Sequence, residues 1–275
     1  YVVEPDWLRT LLPLFEDESI ALVQAPQDHF LPHLSNFKRK CFWEYAGFFQ
    51  IGMVQRNEAD AIIQHGTMTL IRKMALKRVG GWGEWCITED AELGLRLLEA
   101  GWHSAYVPHS FGRGQLPNDF GAYKSQRFRW VYGAMQILKR HGLALLGLRP
   151  CQLSPAQRYH FIAGWLPWLA DAVGLLFTIS ALVWTVVMTT MPAQFPPPPA
   201  LFLVPVLFIF LTRQACSYAL YSMRLNCTKA DRCRAALAGL ALSHTVARAV
   251  LSGLITSGTP FRRTPKDVSN IGLRE

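Results

Sequence analysis

From position 172 to 212 the chain carries no Asp, Glu, Lys or Arg. One break interrupts this stretch, Gln194-Phe195 followed by prolines 196–199, and proline ends a helix by removing backbone donors. Residues 172–191 supply twenty apolar-to-neutral positions, enough at about 1.5 Å each to cross roughly 30 Å of hydrocarbon. Residues 200–221 supply a second run, interrupted only by Arg213. The pattern predicts two transmembrane helices within residues 162–222, joined by a Pro-rich external loop. Asp171 and Arg213 border or enter these runs, and antiparallel helices would bring them to matching depth, so they are expected to pair or to face one polar path. A third apolar stretch, 235–255, contains His244, Arg248 and Ser252 at i, i+4 and i+8, one face of a helix. That polar stripe predicts a helix lying in the membrane interface, within a basic cytoplasmic segment 223–257.

Before residue 140 the pattern changes. Ile20–Gln24 reads as a short buried strand, 62–65 as a second and 105–108 as a third. Helices are predicted over 72–79, closed by Gly80-Gly81, and over 90–100, closed by Gly101. Strands alternating with helices predict an α/β domain over residues 1–140, a partial open and mostly parallel sheet whose ligands bind at the carboxyl ends of its strands. Residues 141–161 then form an interfacial connection, and 258–275 a final loop-like segment.

Charge sharpens this division. Residues 1–120 hold 11 basic and 15 acidic side chains, net −4, whereas 121–275 hold 17 and 4, net +13. The positive charge flanks the apolar runs. The Pro-rich connector has no Lys or Arg, while Arg224, Lys229, Arg232 and Arg234 cluster after the second run. The bias of basic loops toward the cytoplasm places the connector outside and both long flanks inside. No basic stripe with stacking aromatics is present, so the partner implied is a lipid bilayer and not nucleic acid. Six cysteines without a C-x-x-C or Cys/His metal spacing exclude a zinc ribbon and fit idle thiols in a reducing compartment.

Two polar clusters stand out. Trp85-Cys86-Ile87-Thr88-Glu89-Asp90-Ala91-Glu92 places three carboxylates at a helix start, where the simplest role is capping by Thr88 and complementing the helix dipole. Gln126-Arg127-Phe128-Arg129-Trp130 puts an amide, two guanidiniums and an indole within five positions; alone it reads as a basic amphipathic helix at a membrane surface. After the apolar runs comes Phe261-Arg262-Arg263-Thr264-Pro265-Lys266. In this order the three resemble the processive family 2 glycosyltransferases, the group of cellulose, chitin and hyaluronan synthases. Thr88-Glu89-Asp90 matches the Thr-Glu-Asp triplet. Gln126, Arg129 and Trp130 match Gln-x-x-Arg-Trp, and Phe261, Thr264 and Lys266 match the Phe-x-x-Thr-x-Lys gating loop. Val23-Gln24-Ala25-Pro26-Gln27-Asp28, Gln64-His65-Gly66-Thr67-Met68-Thr69 and the run from Gln157 through Gly164-Trp165-Leu166-Pro167-Trp168 are similar to bacterial membrane β-glucosyltransferases that make β-(1,3)-linked or cyclic glucans.

The resemblance implies a glycosyltransferase A-type fold followed by a helical membrane region. It also implies inverting transfer of glucose from UDP-glucose to a growing β-glucan coupled to export, with accessory export proteins as candidate partners. The expected location is a bacterial inner membrane with the catalytic part cytoplasmic. Asp90 would be the base, with Glu89 beside it; Arg129 would contact diphosphate. Gln126, Trp130, Thr88, His65 and Gly66 would contact acceptor or donor, and Phe261, Thr264 and Lys266 would close over the nucleotide. The family also uses Mg or Mn held by an earlier Asp-x-Asp, but Asp6 and Asp28 stand isolated. Metal ligands are therefore expected upstream of Tyr1, and this stretch alone is expected to be inactive. The rival readings are a cellulose-type β-(1,4) or N-acetylglucosamine polymer synthase and, from another class, a non-catalytic membrane scaffold or transporter subunit. Trp165 and Trp168 fit interfacial anchors or a sugar-channel lining equally.

Overall fold

The computed structural model describes residues 1–30, 35–195 and 203–256. The chain opens with β1 (Val2–Val3), α1 (Trp7–Leu11), β2 (Ile20–Gln24) and β3 (Asp28–His29). Helix α2 (Asn36–Ala46) runs through a π-helical turn (Gly47–Gly52) into α3 (Met53–Asn57). Then come β4 (Thr69–Ile71), α4 (Lys73–Arg78), α5 (Glu89–Glu99), β5 (His103–Tyr106) and β6 (Gly112–Gly114). Four long helices complete the described chain: α6 (Phe120–Leu145), α7 (Pro155–Thr190), α8 (Leu203–Arg224) and α9 (Lys229–Ile255).

β2 is apolar from Ile20 to Val23 because both of its faces are covered, Ala21, Leu22 and Val23 being fully buried. It is the centre of one sheet, antiparallel to β4 with Leu22 opposite Ile71, and parallel to β5 with Gln24 opposite Tyr106. A second sheet has the order β1-β6-β3, with one antiparallel and one parallel pair. The described sheets are thus mixed, not mostly parallel. The predicted strand at 62–65 is also absent. Those residues form an irregular segment, and the strand falls at Thr69–Ile71 instead. The cause is the buried side chain of Gln24, whose Nε2 donates to the carbonyls of Thr67 and Met68 and whose Oε1 accepts from the His65 N–H. A side-chain amide satisfies backbone groups that would otherwise need a ladder. Helices α4 and α5 end where glycine permits: Gly80, Gly81 and Gly101 all have φ near +80°.

α7 begins at a capping box, Ser154 with Gln157, and has Pro155 in its first turn. It continues unbroken past Pro167 for 36 residues, about 54 Å. The helix therefore enters from residue 155, earlier than the apolar run alone suggests. Beyond residue 172 its large apolar side chains, among them Leu176, Phe177, Leu182 and Val186, are exposed, as are Leu207, Phe208, Ile209 and Leu211 of α8. α7, α8 and α9 are each long and apolar enough to cross a membrane. Exposed apolar surface of this extent marks a membrane or protein contact. α9 differs from the other two: Leu242, Val246, Ala249 and Val250 are buried, in contact with α6, α7 and α2, while His244 and Arg248 are exposed.

Polar side-chain contacts tie the helical region to the α/β body. Arg39 of α2 donates twice to the buried Asp231 of α9, at 2.7 and 3.0 Å, and Arg234 adds a third charged bond at 2.8 Å. Tyr221 of α8 donates to the carbonyl of Trp43 at 2.9 Å. Its ring lies over Gly47, where a Cβ would overlap it. Between α7 and α8, Arg213 Nη1 stands 3.8 Å from Asp171 Oδ1, as matching depth predicted, and Ser243 of α9 neighbours the same carboxylate.

Candidate active site

Asp90 lies in the first turn of α5. Its Oδ2 accepts the Gly66 N–H at 2.6 Å and its Oδ1 accepts the Ala91 N–H at 2.8 Å. Burial raises its pKa and outweighs the Ala91 bond, which pulls the other way, while neighbouring Glu89 adds to the rise. Glu89 is exposed beside it. The third carboxylate has another role. Glu92 is buried, bonded to Arg96 at 2.7 Å and 3.3 Å from His141 Nε2. Burial would raise Glu92, but His141 and Arg96 hold it below its ordinary value. Thr88 occupies the N-cap position without capping through its side chain; its hydroxyl meets Cys86 Sγ instead, at 3.5 Å.

The irregular 62–68 segment forms one wall. Gly66 presents its amide to Asp90, and a Cβ there would sit 3.4 Å from Oδ2, so the carboxylate approaches the backbone directly. His65 packs edge-on against Phe49 with ring centroids 4.8 Å apart. Its Nδ1 is 3.0 Å from the Ile63 carbonyl, which makes Nδ1 the protonated nitrogen. Burial lowers its pKa to about 4. His65 is therefore neutral at physiological pH, and Nε2 has no hydrogen-bond partner among the described residues. That leaves the Nε2 lone pair unsatisfied in a buried position beside Phe49.

A second wall comes from α6, which starts at Asp119, whose side chain caps it through the Ala122 N–H at 2.8 Å. Gln126 and Trp130, one turn apart, face α2. The Tyr45 hydroxyl donates to Gln126 Oε1 at 2.6 Å and its ring lies 5.8 Å from that of Trp130. The intervening Arg127 is structural. It is bonded to Glu44 Oε2 at 2.6 Å and lies over the Trp130 ring at 5.2 Å. Burial would lower its pKa, but Glu44 outweighs burial and holds it above the usual value. Arg129 is half-buried, which lowers its pKa. A cleft beside α2 lies at the carboxyl ends of β2 and β5, lined by Pro26, His29, Tyr45, Phe49, Pro108 and Ser110 among others; two of these, Tyr45 and Phe49, pack against Trp130 and His65.

The structure thus joins Asp90, Gly66 and His65 along one edge and Gln126 and Trp130 along another. Phe261, Thr264 and Lys266 lie outside the described residues. The pattern left Glu44 and Tyr45 unmarked, and marked Gln24 only as part of the run from Val23 to Asp28. Glu44 did carry a signal, as the one charged side chain between Cys41 and Phe49; a lone charge in an apolar run needs a buried partner.

The model for "Glycosyl transferase family group 2" matches residues 2–196. The chain belongs to that family. Among relatives, this family member is 29% identical over 175 residues to the cellulose synthase 1 catalytic subunit [UDP-forming] of Komagataeibacter xylinus, covering 60% of this chain and 23% of that protein. It is 29% identical over 147 residues to the probable glucomannan 4-beta-mannosyltransferase 7 of Oryza sativa subsp. japonica, covering 52% and 25%. The chain therefore spans about a quarter of the length of these relatives. Among solved structures it is similar to the mannosyltransferase PcManGT from Pyrobaculum calidifontis in complex with GDP-Man and Mn2+, with a TM-score of 0.52 and 15% identity over 92% of this chain and 60% of that one. This likeness shows the shared fold, the glycosyltransferase A-type architecture that the resemblance implied.

Proposed function

We propose that this chain is the acceptor-side part of a membrane glycosyltransferase that moves glucose from UDP-glucose onto a growing β-glucan. The carrying observation is Asp90, a half-buried carboxylate with a raised pKa held by the Gly66 and Ala91 N–H groups. An acceptor hydroxyl loses its proton to Asp90 as its oxygen attacks the anomeric carbon. The bond from that carbon to the donor phosphate breaks, and the nucleoside diphosphate leaves with the electron pair. One displacement inverts an α-linked donor to a β-linked product. A carboxylate whose pKa lies nearer neutrality is the stronger base while still ionised, a contribution typically of about 10²–10⁴-fold.

The other residues bind and orient. Neutral His65 accepts from a sugar hydroxyl through Nε2. Gln126 offers its amide nitrogen to the acceptor, its oxygen being occupied by Tyr45, and Trp130 stacks on a sugar face. Thr88 sets the start of α5, and Glu89 contributes negative potential beside the base. Arg129 suits a bidentate contact to the diphosphate. Phe261, Thr264 and Lys266 are proposed to close over the nucleotide.

A divalent ion, Mg or Mn, would neutralise the leaving diphosphate when bound; the similar mannosyltransferase was solved in complex with GDP-Man and Mn2+. Among the described residues no group of three His, Cys, Asp or Glu converges to hold one.

The site is proposed to face the cytoplasm at a bacterial inner membrane. α7 and α8 would span it, and α9 would lie along the inner interface with His244 and Arg248 outward. The relatives, a cellulose synthase and a probable glucomannan 4-beta-mannosyltransferase, support a second reading, a β-(1,4) polymer. The full-length protein in membranes, offered radiolabelled UDP-glucose, UDP-N-acetylglucosamine and GDP-mannose in turn, tests both. Transfer from UDP-glucose into a product cleaved by β-(1,3)-glucanase supports the first reading, and cellulase-sensitive product the second. Asp90→Asn should abolish transfer while leaving nucleotide binding intact. Transfer within tenfold of the parent protein removes Asp90 as the base.

A further inference from the structure

Arg129, Gly133, Gln136 and Arg140 stand at i, i+4, i+7 and i+11 on α6, one stripe of the helix. Three of them meet the segment leading into α5 in reverse order. The Arg140 guanidinium lies over the Trp85 ring at 4.5 Å. The Gln136 side chain, almost fully buried, accepts the Ile87 N–H at 3.0 Å through Oε1 and reaches the Trp85 carbonyl at 3.4 Å through Nε2. Gly133 receives Thr88: a Cβ at Gly133 would overlap the Thr88 side chain, and Cys86 Sγ lies 3.8 Å from the Gly133 carbonyl. Residues 85–88 are irregular, so this amide bridge replaces regular secondary structure as the element that fixes them. The stripe continues one turn back to Arg129, while the segment continues two residues on to Asp90.

We propose that Gln136 is a positioning residue for glycosyl transfer, bridging the backbone of Trp85 and Ile87 so that α6 sets the place of Asp90 relative to its own Arg129. The inference rests on the reading of Asp90 as the base. α6 carries the Gln126, Arg129 and Trp130 side chains and, through Gln136 and Gly133, also carries the loop that ends in the acid. A carboxylate displaced by about 1 Å from its attacking geometry loses on the order of 10²-fold in rate. Ground-state contacts to the nucleotide, which Gln136 does not touch, are unaffected.

The test uses the full-length protein in membranes, with UDP-glucose turnover, UDP affinity and thermal midpoint measured for each variant. Gln136→Leu is expected to lower kcat roughly 10- to 100-fold, with donor KM and UDP affinity within about threefold. Gln136→Glu keeps an acceptor for Ile87 and is expected to recover to within about fivefold of the parent. Ile137→Val, a neighbouring core change, controls for lost stability and should leave kcat unchanged. Should Gln136→Leu fail to accumulate, Gly133→Ala carries the test, since its methyl displaces Thr88: a kcat loss at constant donor KM supports the proposal and unchanged kcat overturns it. The proposal is also overturned if Gln136→Leu keeps kcat within threefold, if Gln136→Glu is equally impaired, or if donor KM and kcat fall together. Asp90→Asn run alongside separates the two readings. Transfer surviving there removes the base assignment, while the Gln136 variants still report whether the loop's placement governs kcat.

Discussion

The Tyr45 hydroxyl donates to Gln126 Oε1 across 2.6 Å, joining α2 to the face of α6 that carries Trp130. An amide whose oxygen is occupied must present its nitrogen elsewhere, so this bond decides which group Gln126 offers. Tyr45→Phe keeps the ring against Trp130 and frees the amide to rotate. The expected result is a roughly tenfold fall in transfer, about the worth of one hydrogen bond to a buried group, with UDP affinity unchanged. Kinetics in membranes at saturating donor measure it.

Glu44 and Arg127 form a nearly buried pair at 2.6 Å, with side-chain exposures of 17% and 11%. Removing one partner strands the other charge, at a cost of about 3–5 kcal/mol. Glu44→Gln should therefore lower the thermal midpoint far more than Arg113→Gln, whose ion pair to Asp28 is 3.4 Å long and more exposed. Equal shifts in the two variants would remove the structural role given to Arg127.

Arg129→Lys keeps the charge but loses the planar fork that suits a diphosphate. A loss of at least tenfold in transfer is expected, with raised donor KM. An Arg129→Lys protein with the parent's kinetics would place this side chain at the membrane surface instead.

His65 gives a pH signature. Its folded pKa of about 4 lies below the ordinary 6.5, so between those values the unfolded chain takes up a proton that the folded chain refuses. Stability is therefore lost as pH falls through that window. His65→Gln should flatten the acid side of a plot of thermal midpoint against pH. A variant that loses midpoint as steeply as the parent between pH 6.5 and 4 would show that His65 is solvated.

Asp171 and Arg213 meet at 3.8 Å between α7 and α8. Single alanine changes at either position should destabilise the helical region, and the double change should cost less than the two singles together. Additive effects in unfolding from detergent would show that the two do not interact.

Much of this arrangement was legible because local rules agreed with the fold. β2 is apolar on both faces, Gly80 and Gly101 end their helices at positive φ, and the two charges in the apolar helices meet. The loop at 62–68 was not legible, because one buried glutamine on another strand decides its conformation and no pattern of neighbours reveals that. The parallel bias also failed, since short edge strands such as β4 take whichever direction their connections allow. Of the site, the motif residues themselves were readable. Tyr45 and Gln136 were not, because both act across more than forty positions of sequence, and only the packing of α6 brings them to the motifs.

Arg39 and Asp231 are 192 positions apart. A ribosome adding about 5–20 residues per second takes roughly 10–40 s to deliver the second after the first. For that interval Arg39 is without the carboxylate that it meets in the folded protein. The bond that joins α2 to α9 therefore cannot close until nearly two hundred further residues have been made, which sets it late in assembly whatever the order in which the helices form.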